Sequence, residues 1–292
     1  MIVKIENEFL TAEINEFGAE LFSLKGKKTG TEYLWQGNPE YWKSRSTVLF
    51  PICGRLYEGK YIFNEKEYEM PLHGIAKLFN FESEKVSQTK AIFTLKANQE
   101  TFGYYPFDFE FSVIYTLNKD VLDIAYRVKN NGNNQMPFSY GAHPGFNIPF
   151  NNNGSFEDYY VEFTKESMER LVMTERCLFS GETEKFALND KKMNLKHNLF
   201  DNDAIFLVSD TDKIVLKSKN DENFIEVSYK DMTCVGFWHK PKTDAPYVCI
   251  EPWHGIPADD GKTDDLMTKR NILLLKGKDV YENSYQIRIY EK

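Results

Sequence analysis

The chain has 292 residues, 36 basic and 44 acidic side chains and a formal net charge of −8, with 41% hydrophobic and 15% aromatic residues. That balance argues against a nucleic-acid partner, which needs a basic face to neutralise phosphates. The charged N-terminus, Met1-Ile2-Val3-Lys4-Ile5-Glu6, lacks the apolar run of a secretory signal, and no apolar stretch reaches membrane-spanning length; a cytoplasmic chain with no membrane partner is expected.

In chain order, a first short strand is expected over 10–14. Residues 38–43 can make a turn or two of helix, 91–95 a strand, and 99–104 another short helix. The clearest local signal follows. Phe107, Phe109, Phe111, Val113 and Tyr115 alternate with Asp108, Glu110, Ser112, Ile114 and Thr116, a period of two with one strongly apolar face. Asn118-Lys119-Asp120 supplies turn chemistry, and Leu122, Ile124, Tyr126 and Val128 resume the alternation. Asn130-Asn131-Gly132-Asn133-Asn134 makes the next turn, since Asn and Gly tolerate positive φ. The polar stretch 151–155 is a loop too short to separate domains. Further strands are expected over 213–217, 224–229, 233–238, 247–251 and 285–290, with 259–269 a loop or short helix. No segment sustains a 3.6-residue apolar stripe over three turns. The pattern predicts one all-β domain spanning 1–292: a large antiparallel sandwich with a few short helices.

Several standard sites are absent: there is no Gly-rich phosphate loop, dinucleotide turn, H-E-x-x-H or G-x-S-x-G. The four cysteines, Cys53, Cys177, Cys234 and Cys249, form no C-x-x-C pair and read as buried reduced thiols rather than disulfides or zinc ligands. Of five histidines, His197 sits in a polar run and reads as exposed. His73, before Gly74, and His143, before Pro144 and Gly145, stand where Gly and Pro bend a chain and bring side chains into clefts. His239 and His254 flank a stretch whose odd residue is Glu251, a carboxylate following apolar residues and preceding Pro252. Such a group is either a salt-bridge partner, with Arg55 as the candidate, or a general base whose proton affinity burial raises. Arg55 closes an apolar run and suits bidentate binding of oxygens. Asp201 and Asp203 either cap a turn or accept hydrogen bonds from hydroxyls.

Five stretches, Phe50-Pro51-Ile52-Cys53-Gly54-Arg55-Leu56, Leu72-His73-Gly74-Ile75-Ala76, Gly141-Ala142-His143-Pro144-Gly145-Phe146-Asn147, Asn202-Asp203-Ala204 and Cys249-Ile250-Glu251-Pro252-Trp253, occur in an order that resembles the aldose 1-epimerase (galactose mutarotase-like) family, its LacX-like branch in particular. The resemblance implies a β-supersandwich. It implies Glu251 as base, His143 as acid, and Arg55, His73 and Asp203 as holders of sugar oxygens, with Asp201 close enough to compete for the last role. It implies mutarotation of a small sugar or sugar phosphate by ring opening, with His143 protonated and Glu251 ionised at the start, and with no metal or organic cofactor. Trp238 joins the substrate-binding set as an aromatic, since such rings stack on apolar sugar faces. Two departures bear on the substrate. Gly145 stands where the galactose enzymes carry an aromatic, and Lys77 stands where hexose-6-phosphate mutarotases carry arginine. Lys77, with Lys43 and Arg45, is either a phosphate pocket or solvated surface. The competing readings are a non-catalytic sugar-binding module on the same fold and a polysaccharide lyase or glycosidase. The oligomeric state does not follow from the sequence.

Overall fold

A computed structural model describes residues 1–151 and 154–292; Asn152 and Asn153, within the polar stretch 151–155, lie outside the described residues. The alternating segments form the expected strands. Phe109–Asn118 and Val121–Asn130 pair antiparallel, with Asn118 opposite Val121. The connection is therefore the two residues Lys119-Asp120, and Lys119 adopts φ 53°, the left-handed backbone that tight hairpins use. Asn130 organises the next turn, donating to the Asn134 carbonyl (2.7 Å) and accepting from the Gly132 N–H (2.9 Å).

Two large antiparallel sheets result. One has nine strands, in the order Lys192–Asn194, Tyr159–Glu162, Lys213–Ser218, Phe224–Tyr229, Val280–Tyr290, Val121–Asn130, Phe109–Asn118, Lys90–Lys96 and Glu82–Lys85. The other has seven: Phe179–Ala187, Ser167–Met173, Ile205–Val208, Cys234–Trp238, Tyr247–His254, Tyr140–Asn147 and Ser46–Leu49. Period-two alternation sorts the seven-stranded sheet into two faces. Val48, Ala142, Val235, Phe237, Val248 and Ile250 join one buried cluster with Phe111, Val113, Ile124, Tyr126 and Ile287 of the nine-stranded sheet. This is the core of a β-sandwich, and the Tyr126 hydroxyl crosses it to the Gly141 carbonyl (3.2 Å). The opposite face of the seven-stranded sheet carries two smaller apolar clusters, one around Leu49, Phe206, Cys234 and Trp253 and one around Trp35, Tyr247 and Cys249.

Helix is scarce, as expected, and the three candidate segments each take one of the forms the sequence allowed. Gln99–Tyr104 is an α-helix with Asn98 as its cap, accepting from the Glu100 and Thr101 N–H groups. Residues 38–43 stop at one turn, in which the N–H groups of Tyr41 and Trp42 both reach the Asn38 carbonyl. Residues 259–269 contain no helix. The short strand Asp264–Asp265 pairs parallel with Lys60–Phe63, and buried Leu266 is held by a bond to the Ile62 carbonyl (2.9 Å). All four cysteines are free; Cys53, Cys234 and Cys249 are buried and Cys177 is half-buried. No helix among the described residues is long and apolar enough to cross a membrane.

Candidate active site

The second face of the seven-stranded sheet supplies the floor of a cavity of ≈ 300 Å³. The register explains how. Gly141 pairs with Trp253 and Gly145 with Cys249, so His143 stands opposite Glu251 on adjacent strands, between Pro144 and Pro252, which have no N–H for the ladder. Thr47 lies opposite His143 on one side, and Gly236 opposite Glu251 on the other. Directly opposed side chains on one face meet. His143 Nε2 lies 3.3 Å from Glu251 Oε2, with the residues only 7% and 1% exposed. Glu251 thus pairs with His143 rather than with Arg55.

The rim comes from loops. After the strand Ser46–Leu49 the chain doubles back, and the N–H groups of Ile75 and Ala76 both donate to the Phe50 carbonyl. Gly74 makes this approach possible: it has φ +76°, and a Cβ there would lie 2.2 Å from that carbonyl oxygen. His73 is thereby fixed against Gly54. Its N–H donates to the Gly54 carbonyl (2.9 Å), and its Nδ1 accepts from the Gly54 N–H (3.2 Å). A neutral imidazole accepting at Nδ1 carries its proton on Nε2. Arg55 follows directly on this loop, and Lys77 lies in the 3-10 turn Ala76–Leu78; both line the cavity. From the far side comes Asp203, whose carboxylate accepts the Cys177 thiol at 2.7 Å. Seven of the residues singled out in the sequence, Arg55, His73, Lys77, His143, Asp203, Trp238 and Glu251, therefore share one cavity. Asp201 is exposed and outside it.

Burial dominates the electrostatics. It pushes Glu251 well above the usual carboxylate range, with the Asp203 charge adding to the effect. It pulls His143 down to about 3 and His73 well below its ordinary value. Three rings enclose the His143 imidazole: Trp42 stacked at 4.8 Å, with His73 at 5.3 Å and Trp238 at 5.7 Å edge-on. Burial therefore works against the expected resting state, imidazolium beside carboxylate. Desolvation disfavours both charges, and the pair holds its one proton as carboxylic acid and neutral imidazole. Lys77 is also held below its ordinary value, by burial first and then by the Arg55 charge.

One open alternative is decided, and two sequence expectations need correction. Lys43 and Arg45 do not line the cavity; the Arg45 guanidinium instead donates to the Phe22 carbonyl (2.8 Å) and Gln36 (3.1 Å). His197 is half-buried rather than exposed, stacked on Phe156 at 4.1 Å with Nδ1 3.2 Å from the buried His239 Nε2. Cys177 is a cavity residue. Trp42 was not singled out from the sequence at all. It occupies the space an aromatic at position 145 would need, because a Cβ on Gly145 would come within 3.2 Å of the Trp42 ring. The glycine at 145 signalled that a space is left there, but nothing in the sequence pointed to Trp42 as the ring that fills it.

A model of the aldose 1-epimerase family matches residues 1–259. Among curated proteins, the plasmid and chromosomal forms of protein LacX from Lactococcus lactis subsp. lactis are each 30% identical, covering 99% of both chains. Among solved structures, a galactose mutarotase related enzyme from Lactobacillus acidophilus superposes with TM-score 0.95 at 33% identity, covering 100% of this chain and 98% of that one. A galactose mutarotase-like protein from Lactobacillus casei gives 0.94 at 28% identity, covering 99% and 100%.

Proposed function

The chain belongs to the aldose 1-epimerase family, and we propose that it interconverts the α and β anomers of a hexose or hexose phosphate by acid–base opening of the ring. The observation that carries this reading is the contact between His143 and Glu251, 3.3 Å apart on the cavity floor. In a hemiacetal the C1 hydroxyl and the ring oxygen are bonded to the same carbon. A base and an acid that serve both oxygens must therefore be neighbours, not groups on opposite walls. Glu251 takes the proton of the C1 hydroxyl, and C1=O forms as the C1–ring-oxygen bond breaks. The electron pair of that bond goes to the ring oxygen, which takes a proton from His143. Rotation about C1–C2 turns the other face of the aldehyde to the oxygen, and the reverse steps close the ring.

The pair begins and ends with one proton. For Glu251 to act as base, the resting proton moves across to His143. Sugar hydroxyls entering the cavity favour this by restoring hydrogen bonds to the charged forms. Each group contributes about 10²–10⁴-fold to such a rate. Around the pair, Arg55 and Lys77 donate to sugar oxygens or to a phosphate, and His73 donates through Nε2. Asp203 accepts from a hydroxyl, and Trp238 packs against the ring. The cavity volume, at the small end for ligand pockets, suits one sugar ring better than a polymer groove.

Polarimetry starting from pure α-glucose, α-galactose and their 6-phosphates tests this. The protein should speed the approach to anomeric equilibrium for at least one of them. Rates no faster than buffer for every sugar would sink the proposal, and saturable sugar binding without acceleration would identify a binding module instead.

A further inference from the structure

We propose that the floor of this cavity is also a binding site for a thiophilic divalent cation such as Zn²⁺, ligated by His143, Cys249 and Glu251, and that its occupation shuts off the anomer chemistry. The second half rests on the function proposed above; the first does not.

Among the described residues, these three form the one group of His, Cys, Asp or Glu side chains placed to share an ion, with one ligand atom of each within 4.8 Å of the others. Two adjacent strands set them there. Cys249 and Glu251 are two residues apart on Tyr247–His254 and so point to the same face, and His143 faces Glu251 from the neighbouring strand. All three are buried, Cys249 completely. The imidazole has a nitrogen to spare: His143 Nδ1 is buried with no hydrogen-bond partner. The acid–base reaction makes no use of the Cys249 thiol.

Three protein ligands with a fourth position left free is how zinc is held at sites that keep an exchangeable position; here His143 and Glu251 line the cavity and Cys249 lies buried beside them. Bond lengths of about 2.0–2.3 Å to zinc bring neighbouring ligand atoms to about 3–4 Å, so closing the cluster needs only small side-chain movements. The thiolate selects zinc, cadmium or cobalt over magnesium and calcium. Binding displaces two protons, one from the thiol and one from the His143–Glu251 pair. The metal then holds the imidazole lone pair and the carboxylate that the sugar would need, so cation and sugar exclude one another.

Co²⁺ is the probe, because a cobalt–thiolate bond gives a near-ultraviolet charge-transfer band that requires no enzymatic activity. Titrated into the full chain after metal stripping, it should give that band with saturation at one Co²⁺ per chain and displacement by Zn²⁺. The band should vanish in both Cys249→Ser and Cys249→Ala, each checked for a wild-type melting transition, and persist in Cys177→Ser. In the mutarotation assay Zn²⁺ should inhibit competitively with sugar, Mg²⁺ at the same concentration should not, and Cys249→Ser should need at least about tenfold more Zn²⁺. No thiolate band in the wild type, or a band surviving in Cys249→Ala, overturns the site. If no sugar is ever accelerated, the band still decides, so the two proposals fail separately.

Discussion

Replacing Glu251 with glutamine changes almost nothing in shape at a residue only 1% exposed, but the amide cannot take a proton. A positioned general base contributes about 10²–10⁴-fold. At about 1.36 kcal/mol per tenfold the barrier rises by about 3–5 kcal/mol. Stability should move the other way. Burial raises the Glu251 pKa well above 4.5, so its folded value exceeds its unfolded one. The stability it contributes is complete below 4.5 and is lost as pH rises through the raised folded value. Glutamine has no such charge to bury. Polarimetric rates should therefore fall at least about a hundredfold, while the melting temperature at neutral pH is no lower than wild type and gains on it as pH rises. A rate within about twofold of wild type would refute the role of base. A variant melting well below wild type, with the advantage growing toward high pH, would show that Glu251 is held as a stabilised carboxylate and contradict the electrostatic reasoning.

The singly protonated His143–Glu251 pair is neutral overall, whereas gaining or losing a proton leaves a buried charge. The pH–rate profile should accordingly be broad, with its acid limb near His143's depressed value of about 3 rather than near 6.5; a limb at ordinary histidine pH would argue that the imidazole is solvated. Trp42→Ala removes the ring stacked on His143. It should raise KM about 2–13-fold, the worth of an aromatic contact of roughly 0.5–1.5 kcal/mol, and unchanged kinetics would remove Trp42 from the site. Gly74→Ala puts a methyl 2.2 Å from the Phe50 carbonyl oxygen at φ +76°. Overpacking of about 1–3 kcal/mol plus left-handed strain of about 1–2 kcal/mol should lower the urea midpoint clearly; a midpoint equal to wild type would contradict the close approach.

The strands were legible because each side chain repeats its environment every second residue. The alternation from Phe109 to Tyr115 and from Leu122 to Val128 required no knowledge of any partner strand. The continuous apolar run from Tyr247 to Ile250 was legible for a further reason, since both faces of that strand are covered. Residues 259–269 were legible as loop, but the short strand Asp264–Asp265 within them was not, because it depends on pairing with Lys60–Phe63, far away in the chain. The site residues were legible chiefly as short patterns beside Gly and Pro, and Gly74 shows why: only a bare backbone passes so close to the Phe50 carbonyl and leaves His73 against Gly54. Trp42 and Cys177 have no such punctuation, and their relation to His143 and Asp203 exists only in space. His197 misled because a polar neighbourhood in sequence does not reveal that one face of the ring packs on Phe156. The protonation of the His143–Glu251 pair was equally hidden, since it is set by three rings from separate segments.

A sugar soaked into crystals of the Glu251→Gln variant would test the central claim most directly. The account predicts the C1 hydroxyl and the ring oxygen each within about 3 Å of the side chains at 251 and 143, one oxygen to each. A sugar seated in the cavity with its anomeric carbon turned away from both would contradict it.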